Sequence, residues 1–211
     1  TGADGTLIPD KSAKAEYRAL WDRANERLPD GSLKPFTRFT IFTDGEAEIL
    51  AYVVPVDDNG AQWELAVDPE YAGDPVEFTE TVYHEYAHYL TLNNKQVAYG
   101  VPKRYNCYGE NDLVSNPDSY LNAFYQRFWK DYLDDRLADP ESINFYLRHE
   151  DDFITSYAAT SPSEDIAECF SYFVLYDRPT GTSVWEQKQN FFYNYPELVA
   201  FRDQARARLG L

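Results

Sequence analysis

The sequence predicts an α+β fold, in which a small, mostly antiparallel sheet comes early in the chain and a mainly helical part follows. Three observations carry that prediction. Three runs rich in β-branched and aromatic residues, at 36–43, 48–56 and 62–68, lie close together and are separated by turn residues. Beyond residue 116 the apolar residues recur at helical spacing almost to the end. With 211 residues, 44% hydrophobic and 17% aromatic, the chain is long and apolar enough to bury a core without staples. We read it as a single domain, with about 1–95 as an N-terminal lobe holding the sheet and about 96–211 as a mainly helical C-terminal lobe.

The elements follow in order. A first helix is expected over 12–28, where Ala15, Ala19, Leu20, Ala24 and Leu28 fall at helical spacing and Pro29, Asp30 and Gly31 end it. FTRFTIFT, EILAYVVPV and QWELAVD then read as strands, and DDNG between the last two, with Asn59 and Gly60, favours a tight hairpin. Pro75 opens a helix that runs to Leu92. Residues 93–116, centred on KRYNCYGEND, are polar and irregular and read as the longest loop. Helices are expected over 119–137, 141–148 and 163–177, with two more flanking Tyr195 and Pro196.

A formal charge of −17 repels a phosphate backbone, which argues against nucleic acid and anionic membrane surfaces as partners. No run approaches the roughly 20 apolar residues that a spanning helix needs. The opening TGADGTLIPD has neither a basic region nor an apolar stretch. Because the chain starts at Thr1 and contains no methionine, a trimmed chain that has lost any leader is expected. A monomer is assumed. Cys107 and Cys169 could pair in an oxidising compartment, or each could be a small buried residue, and two cysteines do not decide between these.

The chemistry concentrates in TVYHEYAHYLTL, which holds two of the three histidines. Residues four apart on a helix lie about 40° apart in azimuth, so His84 and His88 project side by side and can share one metal ion. Glu85 lies on the same turn, where a carboxylate reaches a metal-bound water without being a ligand, the general-base position of the HExxH pattern. Val82, Tyr86, Ala87, Tyr89 and Leu90 surround the triplet with apolar bulk, where unpaired polar groups would be costly.

A catalytic zinc ion takes three protein ligands and leaves a fourth place open. A third histidine six residues beyond the second is excluded, because Asn94 stands there. His149 lies among charges in LRHEDDF and reads as solvated loop. The better source is YAATSPSEDIAECFSYF, where Ser161 and Pro162 start a helix and Glu164 and Glu168 fall four apart on an otherwise apolar face. Either carboxylate could be the ligand and the other its support. Asp165 reads as an exposed acidic residue of the first turn, favoured by the helix dipole.

HEYAH followed by a distant EDIAE resembles the gluzincin metallopeptidases, and most of all the anthrax lethal factor branch of bacterial enzymes in that family. The resemblance covers about 74–177. It implies a zincin-like fold with the active-site helix between sheet and helical part, one catalytic Zn2+, and a secreted bacterial endopeptidase acting on a protein or peptide substrate. It makes Glu164 the third ligand beside His84 and His88, with Glu168 outside the ligand set and orienting a ligand histidine. It also places a tyrosine seven residues before the ligand glutamate, which is Tyr157, directed at the metal and able to stabilise an oxyanion. Substrate would pair with an edge strand, for which 49–56 is the candidate. A bridge between Cys107 and Cys169 would tie the long loop to the ligand helix. The alternative is an inactive zincin-fold binding or surface protein that keeps its zinc site.

Overall fold

The computed structural model describes residues 1–2, 6–8, 13–43, 45 and 49–211. The expected helix start at Ser12 and strand start at Glu48 lie outside the described residues. Helix α1 (Ala15–Arg27) buries Leu20, Trp21 and Ala24, while Ala15 and Ala19 are exposed. Its stripe is thus set by the bulky residues, and the alanines contribute helix propensity rather than packing.

Strands β1 (Phe36–Ile41), β2 (Ala51–Pro55) and β3 (Trp63–Val67) form one sheet in the order β1-β3-β2. All five residues of β3 are buried, as suits a strand flanked on both sides. β2 pairs with β3 antiparallel, but β1 runs parallel to it. The sheet is therefore mixed where a mostly antiparallel one was expected, because the chain crosses from one edge of β3 to the other before the hairpin closes. The hairpin itself is looser than Asn59-Gly60 predicts. Val56 N–H bonds Gln62 O across a five-residue loop, Asp57 Oδ1 accepts from Ala61 and Gln62 N–H, and Gly60 alone is left-handed, at φ +67°. Gly60 O accepts from the Trp63 indole at 2.9 Å and from Asn94 N–H at 3.2 Å, which ties the hairpin to the end of the next helix.

That helix, α2 (Pro75–Leu92), has the expected bounds. Asp74 caps it by accepting from Val76 and Glu77 N–H, and Pro75 fills the first position, where a missing N–H costs nothing. Tyr83, fully buried on α2, donates its hydroxyl to Arg27 O, and Arg27 Nε donates to Thr79, so α1 is fastened along α2.

Residues 93–116 are not loop throughout: 100–108 is irregular, as expected, but the segment also carries strands. They form a second sheet of short antiparallel strands, β4 (Val97–Tyr99), β5 (Gly109–Glu110) and β6 (Leu113–Ser115), in the order β4-β6-β5. Asn106 and Asn111, both left-handed, supply turns in this segment.

The helix expected over 119–137 is two, α3 (Tyr120–Phe128) and α4 (Leu133–Leu137). The N–H groups of Trp129 and Lys130 both return to Tyr125 O, and this widened turn lets the indole of Trp129 point into the core. Then come α5 (Ile143–His149), α6 (Pro162–Leu175), α7 (Val184–Phe191) and α8 (Pro196–Leu209). Ser161 caps α6 by accepting from Glu164 N–H, and Pro162 takes its first position. α2 and α6 pack on each other at the centre of one apolar core, whose largest fully buried rings include Trp129, Tyr83, Phe145, Phe170 and Phe173.

A Cβ added at Gly60 would lie 2.8 Å from the Tyr99 ring, in addition to the strain of its positive φ. Gly100 has φ +64° and open space around it. Gly60→Ala should therefore cost roughly 1–3 kcal/mol in urea denaturation and Gly100→Ala clearly less. Equal losses would show that the contact with Tyr99 is unimportant.

Candidate metal centre

The site lies between α2 and α6. His84 and His88 come from the middle of α2, and Glu164 is the third residue of α6, where the partial positive charge of the helix N-terminus favours a carboxylate. The donor atoms converge. His84 Nε2 is 3.0 Å from His88 Nε2 and 3.1 Å from Glu164 Oε2, and His88 Nε2 is 3.2 Å from the same oxygen. Three donors at 2.0–2.1 Å from a tetrahedral zinc ion would stand about 3.3 Å apart. The observed triangle, two nitrogens and one carboxylate oxygen, has close to that edge and is the metal-capable group of His, Cys, Asp and Glu found among the described residues.

Glu168 takes the supporting place. Its Oε1 lies 2.7 Å from His84 Nδ1, and its Oε2 accepts from Thr155 Oγ1 at 2.8 Å. In the neutral ring, a proton held on Nδ1 by that carboxylate leaves Nε2 with its lone pair facing the other donors. The arrangement with Glu168 among the donors and Glu164 behind them is thus not the one the geometry takes. His88 Nδ1 is buried and has no hydrogen-bond partner among the described residues.

Glu85 is buried beside the histidines and accepts a hydrogen bond from Val53 N–H of β2. The register explains why that N–H is available. Leu50 O accepts from Asp68 N–H and Val56 N–H bonds Gln62 O, so the even-numbered residues of β2 face β3, and the backbone groups of Ala51 and Val53 point outward from the sheet edge. Tyr157 is 53% exposed, and its ring centre lies 5.7 Å from that of His84. A cavity of about 500 Å³ opens onto His84, Glu85 and Tyr157, with residues 49–51 of the edge as a wall.

The electrostatics follow from burial and proximity. Burial alone would lower the pKa of His84, but its hydrogen bonds to Glu164 and Glu168 and the charge of Glu85 outweigh it and push it up to about 10. Burial raises the carboxyl of Glu164, and the hydrogen bonds and charges of the two histidines reverse that and hold it well below the usual range. Glu168 is lowered against its burial by His84 and Thr155. Burial dominates at Glu85 and raises it despite His88 and His84, which makes it a better proton acceptor. The phenol of Tyr157 is raised by burial and by the charges of Glu164 and Glu85, so it stays a donor.

The structure thus brings together His84, Glu85, His88, Tyr157, Glu164 and Glu168. His149 lies elsewhere, at the end of α5, with Nε2 3.1 Å from Asp135 and its ring against Tyr132 and Phe145. Cys107 and Cys169 are free thiols. Asp165 is a correction. It is fully buried rather than exposed, because Lys188, Trp129 and Cys169 answer its carboxylate. Thr155 went unread at the sequence level, its one signal being a hydroxyl two residues before Tyr157.

In chelator-treated protein the folded state holds the His84 proton up to a pKa of about 10, against 6.5 for the free side chain. That contribution to stability is complete below pH 6.5 and is lost as pH rises toward 10. The melting temperature should fall across this window, and His84→Gln should flatten the fall. An unchanged slope in the variant would assign it to other groups.

Among known proteins, no family model, no curated protein and no solved structure matches the chain.

Proposed function

We propose that this chain is a zinc-dependent endopeptidase of the gluzincin type, with a zincin-like fold, secreted by a bacterium and acting on protein or peptide substrates. The observation that carries this reading is the triangle of His84 Nε2, His88 Nε2 and Glu164 Oε2, with edges of 3.0–3.2 Å, beside a buried Glu85. The donor chemistry fits one zinc ion held by His84, His88 and Glu164. Bound zinc supplies Lewis acidity and lowers the pKa of water toward about 7.

The chain's own residues do the rest. Glu85, its basicity raised by burial, takes a proton from the attacking water and hands it to the leaving amine. The phenol of Tyr157 donates to the carbonyl oxygen as negative charge develops there, an interaction stronger in the transition state than in the ground state. Glu168 keeps the His84 ring in one orientation. The outward N–H and C=O of Ala51, on the cavity wall, offer an extended peptide a strand to pair with. The net charge of −17 leaves nucleic acid outside the expected partners.

Elemental analysis of purified protein should find one zinc per chain, and an unfolded protein such as reduced casein should be cleaved. Glu85→Gln should retain the zinc and lose on the order of 100-fold or more in kcat. Tyr157→Phe should lose on the order of 100-fold in kcat with KM little changed. A zinc-loaded chain that cleaves nothing, or a Glu85→Gln variant as active as the parent, would refute the reading.

A further inference from the structure

Lys188 and Asp165 form an ion pair in which neither side chain is exposed to solvent. Lys188 Nζ lies 2.7 Å from Asp165 Oδ2, donates to Asp152 O at 2.9 Å, and sits 3.6 Å from the centre of the Phe153 ring. Two acceptors and one aromatic face account for the three N–H groups of an ammonium. Asp165 is answered as fully. The Trp129 indole donates to its Oδ2 at 2.7 Å and the Cys169 thiol to its Oδ1 at 3.4 Å.

A buried pair of this kind adds little net stability, since removing both charges from water offsets their attraction. Its placement has another effect. Asp165 directly follows Glu164 on α6, so the carboxylate that Lys188 grips belongs to the turn that carries the third donor. The other acceptor, Asp152 O, lies three residues before Thr155, whose hydroxyl holds Glu168 and also accepts from Ala158 N–H. Tyr157 lies within that short span. One ammonium therefore fastens both the donor helix and the segment bearing the phenol, from behind the site. Neither Lys188 nor Asp165 has a part in the chemistry assigned above.

We propose that Lys188 is a positioning residue for the metal centre: through Asp165 and the Asp152 carbonyl it fixes Glu164 and Tyr157 relative to each other. The inference rests on the zinc reading given above. It explains why a charged pair stands where apolar residues would pack as well. An apolar pair would fill the space but would leave the Asp152 carbonyl without its link to α6, and the segment tied there through Thr155 alone among the bonds named above.

The test is the double variant Asp165→Asn/Lys188→Met. Lys188→Met alone strands a buried carboxylate and is expected to lose stability for that reason. The double variant removes both charges, keeps the volume and leaves the Trp129 indole an acceptor. It should fold, by circular dichroism, with a melting temperature within a few degrees of the parent. Its zinc dissociation constant, measured by competition with a chromogenic chelator, should rise at least tenfold. Its kcat should fall at least tenfold, with KM within threefold. Leu198→Ala, a core control in α8, should lower the melting temperature at least as much and leave zinc affinity within twofold. Zinc affinity and kcat within twofold of the parent in the double variant would overturn the inference and leave the zinc reading standing. A loss of affinity shared by Leu198→Ala would overturn it too, as general loosening. If the parent takes up no zinc in the same titration, the zinc reading fails and the inference falls with it.

Discussion

The packing of α2 against α6 buries His84 and Glu85 and half-buries His88, Glu164 and Glu168 at one interface, and most of the remaining structure serves to make that burial tolerable. A buried polar group without a partner costs about 1–3 kcal/mol. Here His84 is engaged through both ring nitrogens, Glu168 through both oxygens, and Glu85 by a backbone N–H from the sheet. Most of the rest of both helices is apolar where it faces inward, with Tyr83, Ala87, Ile166, Ala167 and Phe170 fully buried, and the further buried polar residues Thr91, Asp165 and Ser171 each have their own partners.

The flanking elements hold the two helices at their ends. α2 is capped by Asp74 at its start, and its end is bound to the hairpin through Asn94 and Gly60. α6 is capped by Ser161 at its start. Its last carbonyls are taken by arginines of α8, with Arg202 Nε donating to Phe173 O at 2.6 Å and Arg206 to Leu175 O at 2.8 Å. The last 30 residues carry no readable motif, yet they satisfy the end of the helix that presents Glu164. Arg208 continues the same role toward α1, where it donates to Glu26 O and Asp30.

What was legible in the sequence was local. Pro75 and the pair Ser161-Pro162 mark the two helix starts, and the four-residue spacings of His84 with His88 and Glu164 with Glu168 put each pair on one face. What was illegible depended on distant partners. The parallel pairing of β1 depends on which edge of β3 the chain reaches, and no local pattern records that. Strands of two or three residues, as in β5 and β6, are too short to show an alternation. The break after α3 follows from the burial of Trp129 against Asp165, 36 residues away, and the burial of Asp165 follows from Lys188, 23 residues further on. A carboxylate in a first helical turn looks solvated until its counter-ion is known.

The outward-facing edge of β2 also contains a lock. Pro55 falls in the same set as Ala51 and Val53, whose backbone groups turn away from β3, so its missing N–H removes nothing from the ladder. A slip of one residue would turn Pro55 toward β3, where a bond would be lost, and would carry Val53 N–H away from Glu85. The misaligned hairpin is thereby penalised twice, by Pro55 in the sheet and by the displaced Val53 N–H at the buried carboxylate.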